Sequence, residues 1–308
     1  MNAVARVLLS ATAVALIAAA TPAGTWSQKS PMPSKRSEVG VASIGTAIYV
    51  IGGFTAGTND QTRVDVYDAA KDAWRTVAPL PRGLNHPGAA ALDGKVYVVG
   101  GYSESGNPTS GGMVYDPGRD HWQDIAPLPF PRGALGLAAL NGKLYAIGGN
   151  RGGSVSDADI YDPHDNIWRG AAHLPQPRDH LAVVAFNGKI YAIGGRINTF
   201  NNNVDRTDIY NPAKDVWTSG APMPTARSGV AGAVYQGHIH VIGGEAPRGT
   251  FVQNEAYDPA SNTWTAYAPL PSGRHGTGAA TVGDRLFLPA GGPTPGGSQA
   301  DTLFAFGT

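Results

Sequence analysis

The chain has 308 residues, including 42 glycines and 24 prolines but no cysteine. Its 23 basic residues balance 23 acidic ones, so there is no net charge to attract nucleic acid or an anionic membrane. The absence of cysteine excludes disulfides, thiolate metal sites and cysteine nucleophiles. The glycine and proline content does not suit a helical bundle.

The N-terminal residues are predicted to form a cleavable secretory signal. Arg6 precedes an uncharged run from Val7 to Ala20 that ends in three alanines, the small residues that signal peptidase needs. The run is shorter than the roughly 20 residues of a membrane-spanning helix. We therefore expect a signal peptide over residues 1–20, one mature domain over residues 21–308 and a periplasmic or secreted location, without a membrane span after cleavage. An uncleaved anchor is the alternative.

Three residue series repeat along the chain at one period. The paired glycines are Gly52-Gly53, Gly100-Gly101, Gly148-Gly149, Gly194-Gly195, Gly243-Gly244 and Gly291-Gly292, at steps of 48, 48, 46, 49 and 48 residues. The six tryptophans are Trp26, Trp74, Trp122, Trp168, Trp217 and Trp264, and the last five each follow a tyrosine by seven residues, namely Tyr67, Tyr115, Tyr161, Tyr210 and Tyr257. Three interlocked series of this kind indicate six copies of one structural unit.

Each unit is predicted to contain four short antiparallel strands. In the segment from Leu140 to Gly149, an Asn-Gly turn separates the first strand from a short apolar strand that stops at two glycines. A third strand ends at Tyr161-Asp162-Pro163, and a fourth begins at the next tryptophan. The chain is therefore predicted to be all-β.

The double glycine, tyrosine and tryptophan at these spacings resemble the kelch repeat family over essentially the whole mature chain. This resemblance implies a six-bladed β-propeller around a central channel. It also implies that the repeated tyrosines and tryptophans pack between blades.

The last unit is split between the two ends of the chain. Trp26 precedes the first double glycine, whereas only a third-strand segment from Asp301 to Phe306 follows the last one. We expect residues near Thr25 to Lys29 to supply the missing fourth strand, which closes the ring and removes a free sheet edge. Pro289 adds one residue before the last glycine pair, which predicts a bulge.

An arginine series marks the start of the inner strands. Counting back sixteen residues from the glycines, or seventeen in the last unit, finds Arg36, Arg132, Arg178, Arg227 and Arg274, with Leu84 in the second unit. Kelch domains that bind acidic peptides use arginines at this position beside small polar residues, a pattern that Ser37 and Ser228 resemble. The alternative is that these guanidiniums cap strand ends within the architecture.

Several polar and aromatic residues do not repeat from unit to unit. They are predicted to lie on the face of the propeller that carries the long, variable loops, which we call the loop face. Beside the arginines lie Glu38, His86, Asp179, His180 and His275, and after the glycines lie Phe54, Tyr102, Asn150, Arg196 and Glu245. Phe200 is the aromatic residue of a long amide-rich loop. Guanidinium, amide and aromatic groups together suit a polar ligand with a carboxylate, so the predicted ligand-binding residues are Arg36, Arg132, Arg178, Arg227, Arg274, Ser37, Ser228, His86, Tyr102, Asn150, Arg196 and Phe200.

The sequence favours recognition over catalysis. Galactose oxidase shares the kelch propeller, but its copper site needs a cysteine that this chain lacks. The histidines show no close metal spacing, so we expect no metal and no cofactor. The predicted function is an exported recognition module for a small anionic saccharide or an acidic peptide.

Two alternatives remain open. The architecture is similar to that of the periplasmic N-acetylneuraminate epimerases, a family of sialic acid mutarotases, and proton transfer of that kind needs only a paired acid and base. The catalytic candidates are Glu38 and Glu245, followed by Asp179 and His180. A pocket whose carboxylate or histidine has a perturbed pKa near the arginines would favour this enzyme. The second alternative is a scaffold that binds another exported protein.

Overall fold

The computed structural model describes residues 23–55 and 61–308, and within these ranges the chain forms thirty strands and no helix. Strands β1 to β15 are Thr25–Lys29, Arg36–Ser37, Gly40–Ile44, Ala47–Ile51, Phe54–Thr55, Val64–Asp68, Ala73–Thr76, Leu84–Asn85, Gly88–Leu92, Lys95–Val99, Tyr102–Ser103, Gly112–Asp116, His121–Ile125, Gly136–Leu140 and Lys143–Ile147. Strands β16 to β30 are Ala158–Asp162, Ile167–Gly170, Ala182–Phe186, Lys189–Ile193, Thr207–Asn211, Val216–Ser219, Ala231–Tyr235, His238–Ile242, Glu245–Ala246, Gly249–Thr250, Asn254–Asp258, Thr263–Tyr267, Ala280–Val282, Arg285–Pro289 and Leu303–Gly307.

Six four-stranded antiparallel sheets in the described residues are the blades of a β-propeller, as the repeats predict. From first to fourth strand, blades 1 to 6 are β3-β4-β6-β7, β9-β10-β12-β13, β14-β15-β16-β17, β18-β19-β20-β21, β22-β23-β26-β27 and β28-β29-β30-β1. The first strands of successive blades contact one another in a closed circle that returns from β28 to β3. They therefore line the central channel.

The small residues of the first strands allow the blades to converge. A side chain at Gly136 would place its Cβ 2.0 Å from Val183 of the next blade, and one at Gly40 would place it 2.8 Å from the Cβ of Ala89. The channel they line has a volume of about 390 Å³ and is walled mainly by glycine, alanine and valine.

The repeated aromatic residues fill the space between blades, as expected. Tyr67, for example, packs against Trp74 of its own blade and Phe287 of blade 6. Each tryptophan also donates its indole N–H to a backbone carbonyl near the preceding blade, as Trp122 does to Ala78 at 2.9 Å. Each interface between blades is therefore stabilised both by the packing of aromatic rings and by a hydrogen bond from the tryptophan indole.

The predicted closure is confirmed. Strand β1 pairs with β30 in antiparallel register, with Trp26 opposite Phe306, so the N-terminus supplies the fourth strand of blade 6. The Trp26 indole contacts the Phe306 ring at 5.1 Å between centroids and donates a hydrogen bond to Ala268 of blade 5.

The bulge predicted at Pro289 is wrong. Pro289 pairs in register with Leu303 at the end of β29, and Ala290-Gly291 takes the place of the double glycine. The Ala290 amide donates to Thr302 and the Gly291 amide donates to Arg36 of the next blade, as Gly52 and Gly53 donate to Arg63 and Leu84. Ala290 also keeps a positive φ of 58°, so blade 6 has the same sixteen-residue spacing as the others.

The predicted signal over residues 1–20 lies outside the described residues. Where the structure is described, nothing has the length and apolar character of a membrane-crossing helix.

Candidate functional site

Four of the five predicted ligand-binding arginines are buried inside the blades. Their guanidiniums are 0% exposed and form ion pairs with third-strand carboxylates: Arg36 with Asp65, Arg132 with Asp159, Arg178 with Asp208, and Arg227 with Glu255, at 2.7–2.8 Å. They also donate to carbonyls of the second strand, such as Ala146 and Ala192. The structure corrects the expectation that these four face a ligand, because each guanidinium is buried and paired with a carboxylate of its own blade.

Blades 2 and 6 support this architectural role. Where Leu84 replaces the arginine of blade 2, the buried Met113 stands at the carboxylate position, and both belong to one apolar cluster. In blade 6, Arg274 is 4% exposed and donates to the Thr302 hydroxyl at 2.8 Å. Phe304 occupies the carboxylate position of this blade, and its ring centroid lies 5.3 Å from the Arg274 guanidinium carbon, so a buried arginine is kept there without a facing carboxylate.

Two predicted serine ligands are also enclosed. Ser37 and Ser228 are 0% exposed, and neither hydroxyl has a hydrogen-bond partner within the described residues. Like the five arginines, these two serines are enclosed in the protein and do not face a ligand at its surface.

The channel mouth on the loop face is closed by a ring of backbone hydrogen bonds. One residue per blade contributes, in the order Glu38, His86, Ala134, His180, Gly229 and Gly276, and all six have φ between 52° and 65°. Each amide donates to the carbonyl of the previous member, and Glu38 donates to Gly276 to complete the circle. This left-handed conformation is costly for residues other than glycine. The hydrogen bonds of the ring stabilise Glu38, His86 and His180 in it and so hold them in fixed positions around the axis.

Glu38 lies between two histidines from the neighbouring blades. Its Oε2 is 3.1 Å from His86 Nε2, and its Oε1 is 3.2 Å from His275 Nδ1. All three residues are largely buried. The carboxylate of blade 1 thus joins blades 2 and 6 at the mouth.

Arg196 connects the other charged groups. Its Nε donates to Asp179 at 3.1 Å, its NH1 donates to Glu245 at 2.8 Å, and its NH2 lies 2.9 Å from His180 Nε2. Asp179 accepts in turn from His180 Nδ1 at 2.5 Å, and Glu245 Oε2 lies 3.5 Å from His275 Nδ1. The four catalytic candidates therefore meet in one network.

Aromatic and amide groups surround this network. The rings of Phe54 and Tyr102 contact His86 with centroids 5.6 and 5.4 Å away. Asn150 donates to Asp179 at 3.1 Å, and the Phe200 ring lies 5.7 Å from the Arg196 guanidinium carbon. His86, Tyr102, Asn150, Arg196 and Phe200 are the predicted ligand residues that the structure brings together.

Burial and charge shift the pKa values of the central groups. Burial by itself would raise the pKa of Glu38, but the charges of His86, His275 and His180 outweigh it and hold that pKa well below its usual range. Burial lowers the pKa of His86 to about 4, against the opposing effect of Glu38. Burial would also lower the pKa of His275, but its contact with Glu38 raises it. The Glu38 carboxyl group is therefore ionised at neutral pH.

The mouth contains a cavity of about 90 Å³ lined by the six ring residues and the residues that follow them. One possible ligand atom from each of Glu38, His86 and His180 lies within 4.8 Å of the other two, a spacing suited to a metal ion. Beside it, the Arg196 guanidinium contacts the carboxylates of Asp179 and Glu245, and the His275 imidazole contacts those of Glu38 and Glu245. The arrangement can transfer protons or hold a cation.

Sequence reasoning missed the residues that orient the histidines. Asn85 accepts from His86 Nδ1 at 2.6 Å and donates to Gln61 at 3.0 Å, and the Ser154 hydroxyl donates to Asp179. Asn85 occupies the same repeat position as Asp179, directly before the histidine. Comparing that position across blades would have found it.

The comparisons with known proteins agree with the repeat architecture. The profile of the KLHDC2/KLHL20/DRC7 Kelch-repeats domain matches residues 15–173, and the Kelch motif matches residues 177–224 and 226–271. No curated protein matches the chain at a significant level. The solved structure of YjhT aligns with a TM-score of 0.76 at 18% sequence identity, over 89% of this chain and 95% of that chain, a likeness that shows the fold.

Proposed function

Because the chain belongs to the kelch repeat family, we propose that the mouth of its channel recognises a small polar molecule. The fold supports a recognition or protein-interaction module. The observation that carries the proposal is the convergence of Glu38, His86, Asp179, Arg196 and Glu245 from four blades into one network of polar contacts, beside the cavity that Glu38 and His86 line. Export of this module, as the N-terminal residues predict, is part of the proposal.

The charges at the mouth favour a neutral ligand over an anionic one. The arginines expected to bind a carboxylate are paired within the blades, and Arg196 already contacts two carboxylates. Carboxylates accept hydrogen bonds from hydroxyl groups, amides both accept and donate them, and the rings of Phe54, Tyr102 and Phe200 can stack on a sugar face. We therefore propose a neutral saccharide as the ligand class.

Ligand-induced thermal stabilisation tests this proposal. The purified protein is melted with neutral monosaccharides and disaccharides, with N-acetylneuraminate and with an acidic peptide. We expect a neutral sugar to raise the melting temperature and the anions to have no effect. Glu38→Gln should abolish the shift, whereas Glu104→Gln, at an exposed glutamate, should preserve it. A shift produced only by the anions would contradict the ligand class.

An isomerase of the mutarotase type is the second candidate. It is favoured by the contacts of Glu38 with two imidazole nitrogens at 3.1 and 3.2 Å, the distances at which an acid and a base exchange a proton. We expect no acceleration of anomer exchange with N-acetylneuraminate, because its carboxylate would meet three protein carboxylates. Anomer relaxation measured by NMR tests this. Acceleration that disappears in a Glu38→Gln, Glu245→Gln double variant would establish the isomerase instead.

A further inference from the structure

Each ring nitrogen of His86 faces an oxygen atom of another side chain. Asn85 uses its amide nitrogen to donate to Gln61 at 3.0 Å and to the Tyr102 carbonyl at 3.4 Å, so its oxygen must accept from His86 Nδ1. The other ring nitrogen, Nε2, faces Glu38 Oε2 at 3.1 Å. In the tautomer with its single N–H on Nδ1, the imidazole presents the lone pair of Nε2 to the same space as the Glu38 carboxylate.

His180 is oriented in the same way. The Asp179 carboxylate can only accept, so His180 Nδ1 donates to it at 2.5 Å and Nε2 keeps its lone pair. The rings of His86 and His180 contact each other with centroids 5.0 Å apart, across a blade that carries only Ala134 at this position. A carboxylate or amide behind the imidazole is the usual support of a metal-binding histidine, since it fixes which nitrogen is free.

We propose that Glu38, His86 and His180 bind one divalent transition-metal ion, with Zn²⁺ the foremost candidate. Two histidines and one carboxylate are an established donor set for zinc and for other divalent metals that retain an open position. The ligand atoms lie within 4.8 Å of one another, whereas bonds of about 2.1 Å in a tetrahedral site separate ligands by about 3.4 Å. Side-chain movement of about 1 Å therefore completes the site.

The charge of the surroundings supports a cation. Three carboxylates, on Glu38, Asp179 and Glu245, lie here against the guanidinium of Arg196 and the imidazole of His275. A metal ion could be bound jointly by the Glu38 oxygen and by His86 Nε2, which lie 3.1 Å apart. The expectation of no metal came from chain spacing, which cannot detect ligands contributed by three different blades.

Arg196 must move for the ion to bind. Its NH2 lies 2.9 Å from His180 Nε2 and occupies the lone pair that the metal needs. The guanidinium can give up this contact and keep its bonds to Asp179 and Glu245. Arg196 is therefore expected to weaken metal binding. Replacing Arg196 should strengthen binding, whereas replacing a metal ligand should weaken it.

This inference shares its site with the proposed function but does not depend on it. Metal binding is measured without any organic ligand, so a negative sugar panel leaves the metal result intact. An ion held here would offer its open coordination position to hydroxyl groups of a ligand.

The test is titration of the purified, chelator-treated protein with Zn²⁺ by calorimetry and with Co²⁺ by visible absorption. We expect one ion per chain and the absorption of a nitrogen- and oxygen-ligated cobalt centre. Glu38→Gln and His86→Gln should each weaken binding by about 100-fold or more, and the supporting Asn85→Ala by about 10- to 100-fold. Arg196→Gln should tighten it, and His164→Gln, at a histidine side chain 93% exposed, should leave it unchanged.

Circular dichroism in chelator verifies that each variant is folded. Failure of the folded parent to bind Zn²⁺ or Co²⁺ in a one-to-one ratio overturns the proposal, whatever the variants do. Stoichiometric binding that persists in folded Glu38→Gln or His86→Gln also overturns it, since the ion would then lie elsewhere.

Discussion

At the scale of single residues, the surroundings of each guanidinium decide what an arginine does. Arg132 lies in the same repeat position as Leu84, and the residue facing it changes from Asp159 to Met113 accordingly. Removing one member of a buried ion pair leaves the other charge uncompensated, whereas replacing both with apolar residues can be nearly neutral. Blade 2 contains that apolar solution.

We expect Arg132→Leu to lower the free energy of unfolding by about 3–5 kcal/mol, because Asp159 would remain buried without its partner. The double variant Arg132→Leu, Asp159→Met, which copies blade 2, should recover most of that loss. Urea unfolding measures both. The control is Arg82→Leu, whose ion pair with Asp124 is exposed and contributes at most about 1 kcal/mol. Similar losses for the control and the single variant would contradict the argument.

His240 is a residue whose burial predicts a pH effect. It is 1% exposed and its Nδ1 lies 2.8 Å from the Asn254 side-chain oxygen, and burial lowers its pKa to about 4. The unfolded chain therefore takes up a proton at higher pH than the folded protein does. Stability should fall as the pH decreases from about 6.5 to about 4, by up to about 1.4 kcal/mol per pH unit from this group.

Urea unfolding at several pH values tests this effect. His240→Gln should reduce the slope of stability against pH in that window, whereas the exposed His121→Gln should not change it. A parent protein equally stable at pH 6.5 and pH 4.5, or an unchanged slope in His240→Gln, would show that His240 is protonated in the folded state.

At the scale of elements, the glycine that follows the second strand in blades 1 to 5, where blade 6 has Ala290, controls the distance between blades. Gly100 has a φ of 63°, and a Cβ there would lie 2.4 Å from the carbonyl oxygen of Arg132 in the next blade. Gly94, in the turn of the same blade, has a φ of 71°, but no atom lies within 4 Å of the position that a Cβ would take there. Both glycines have a positive φ, but only at Gly100 would a side chain also clash with the neighbouring blade.

We expect Gly94→Ala to cost about 1 kcal/mol, the ordinary penalty for a side chain at positive φ. Gly100→Ala should cost clearly more, because the backbone of the next blade must move as well. Thermal and urea unfolding of the pair measure the difference. Equal costs would mean that the blade interface adapts without a penalty.

At the scale of the whole molecule, pairing of the two chain ends keeps the mouth assembled. Strand β1 covers the edge of β30, and closure of the ring brings Glu38 of blade 1 beside His275 of blade 6. Without β1, blade 6 would expose a row of unpaired backbone groups and the Phe306 ring.

Deletion of residues 21–30 should therefore lower stability by several kcal/mol, through loss of a strand and of Trp26, and should promote association through the open edge. Melting temperature and sedimentation measure the two effects. Deletion of residues 2–20 alone leaves β1 intact and serves as the control. A variant without residues 21–30 that melts like this control and stays monomeric would refute the role of β1.

The repeat pattern was enough to predict the number of blades, the four strands in each, the turns and the blade shared by the two termini. These features can be predicted because every blade forms the same strands, turns and interfaces. Glycine, tyrosine and tryptophan therefore recur at one regular spacing along the chain. The sequence also identified the non-repeating polar residues on the loop face, including Glu38, His180 and Arg196.

Which polar groups meet and which are enclosed could not be predicted from the sequence and became visible in the folded chain. The arginine series looks equally suited to ligand and architecture until the carboxylates of Asp65, Asp159, Asp208 and Glu255 are seen beside it. Glu38, His86 and His180 are separated by dozens of residues and converge only because the ring closes and holds their backbones at positive φ. Convergence of this kind depends on distances between blades, and a repeat pattern carries no information about distances across the axis.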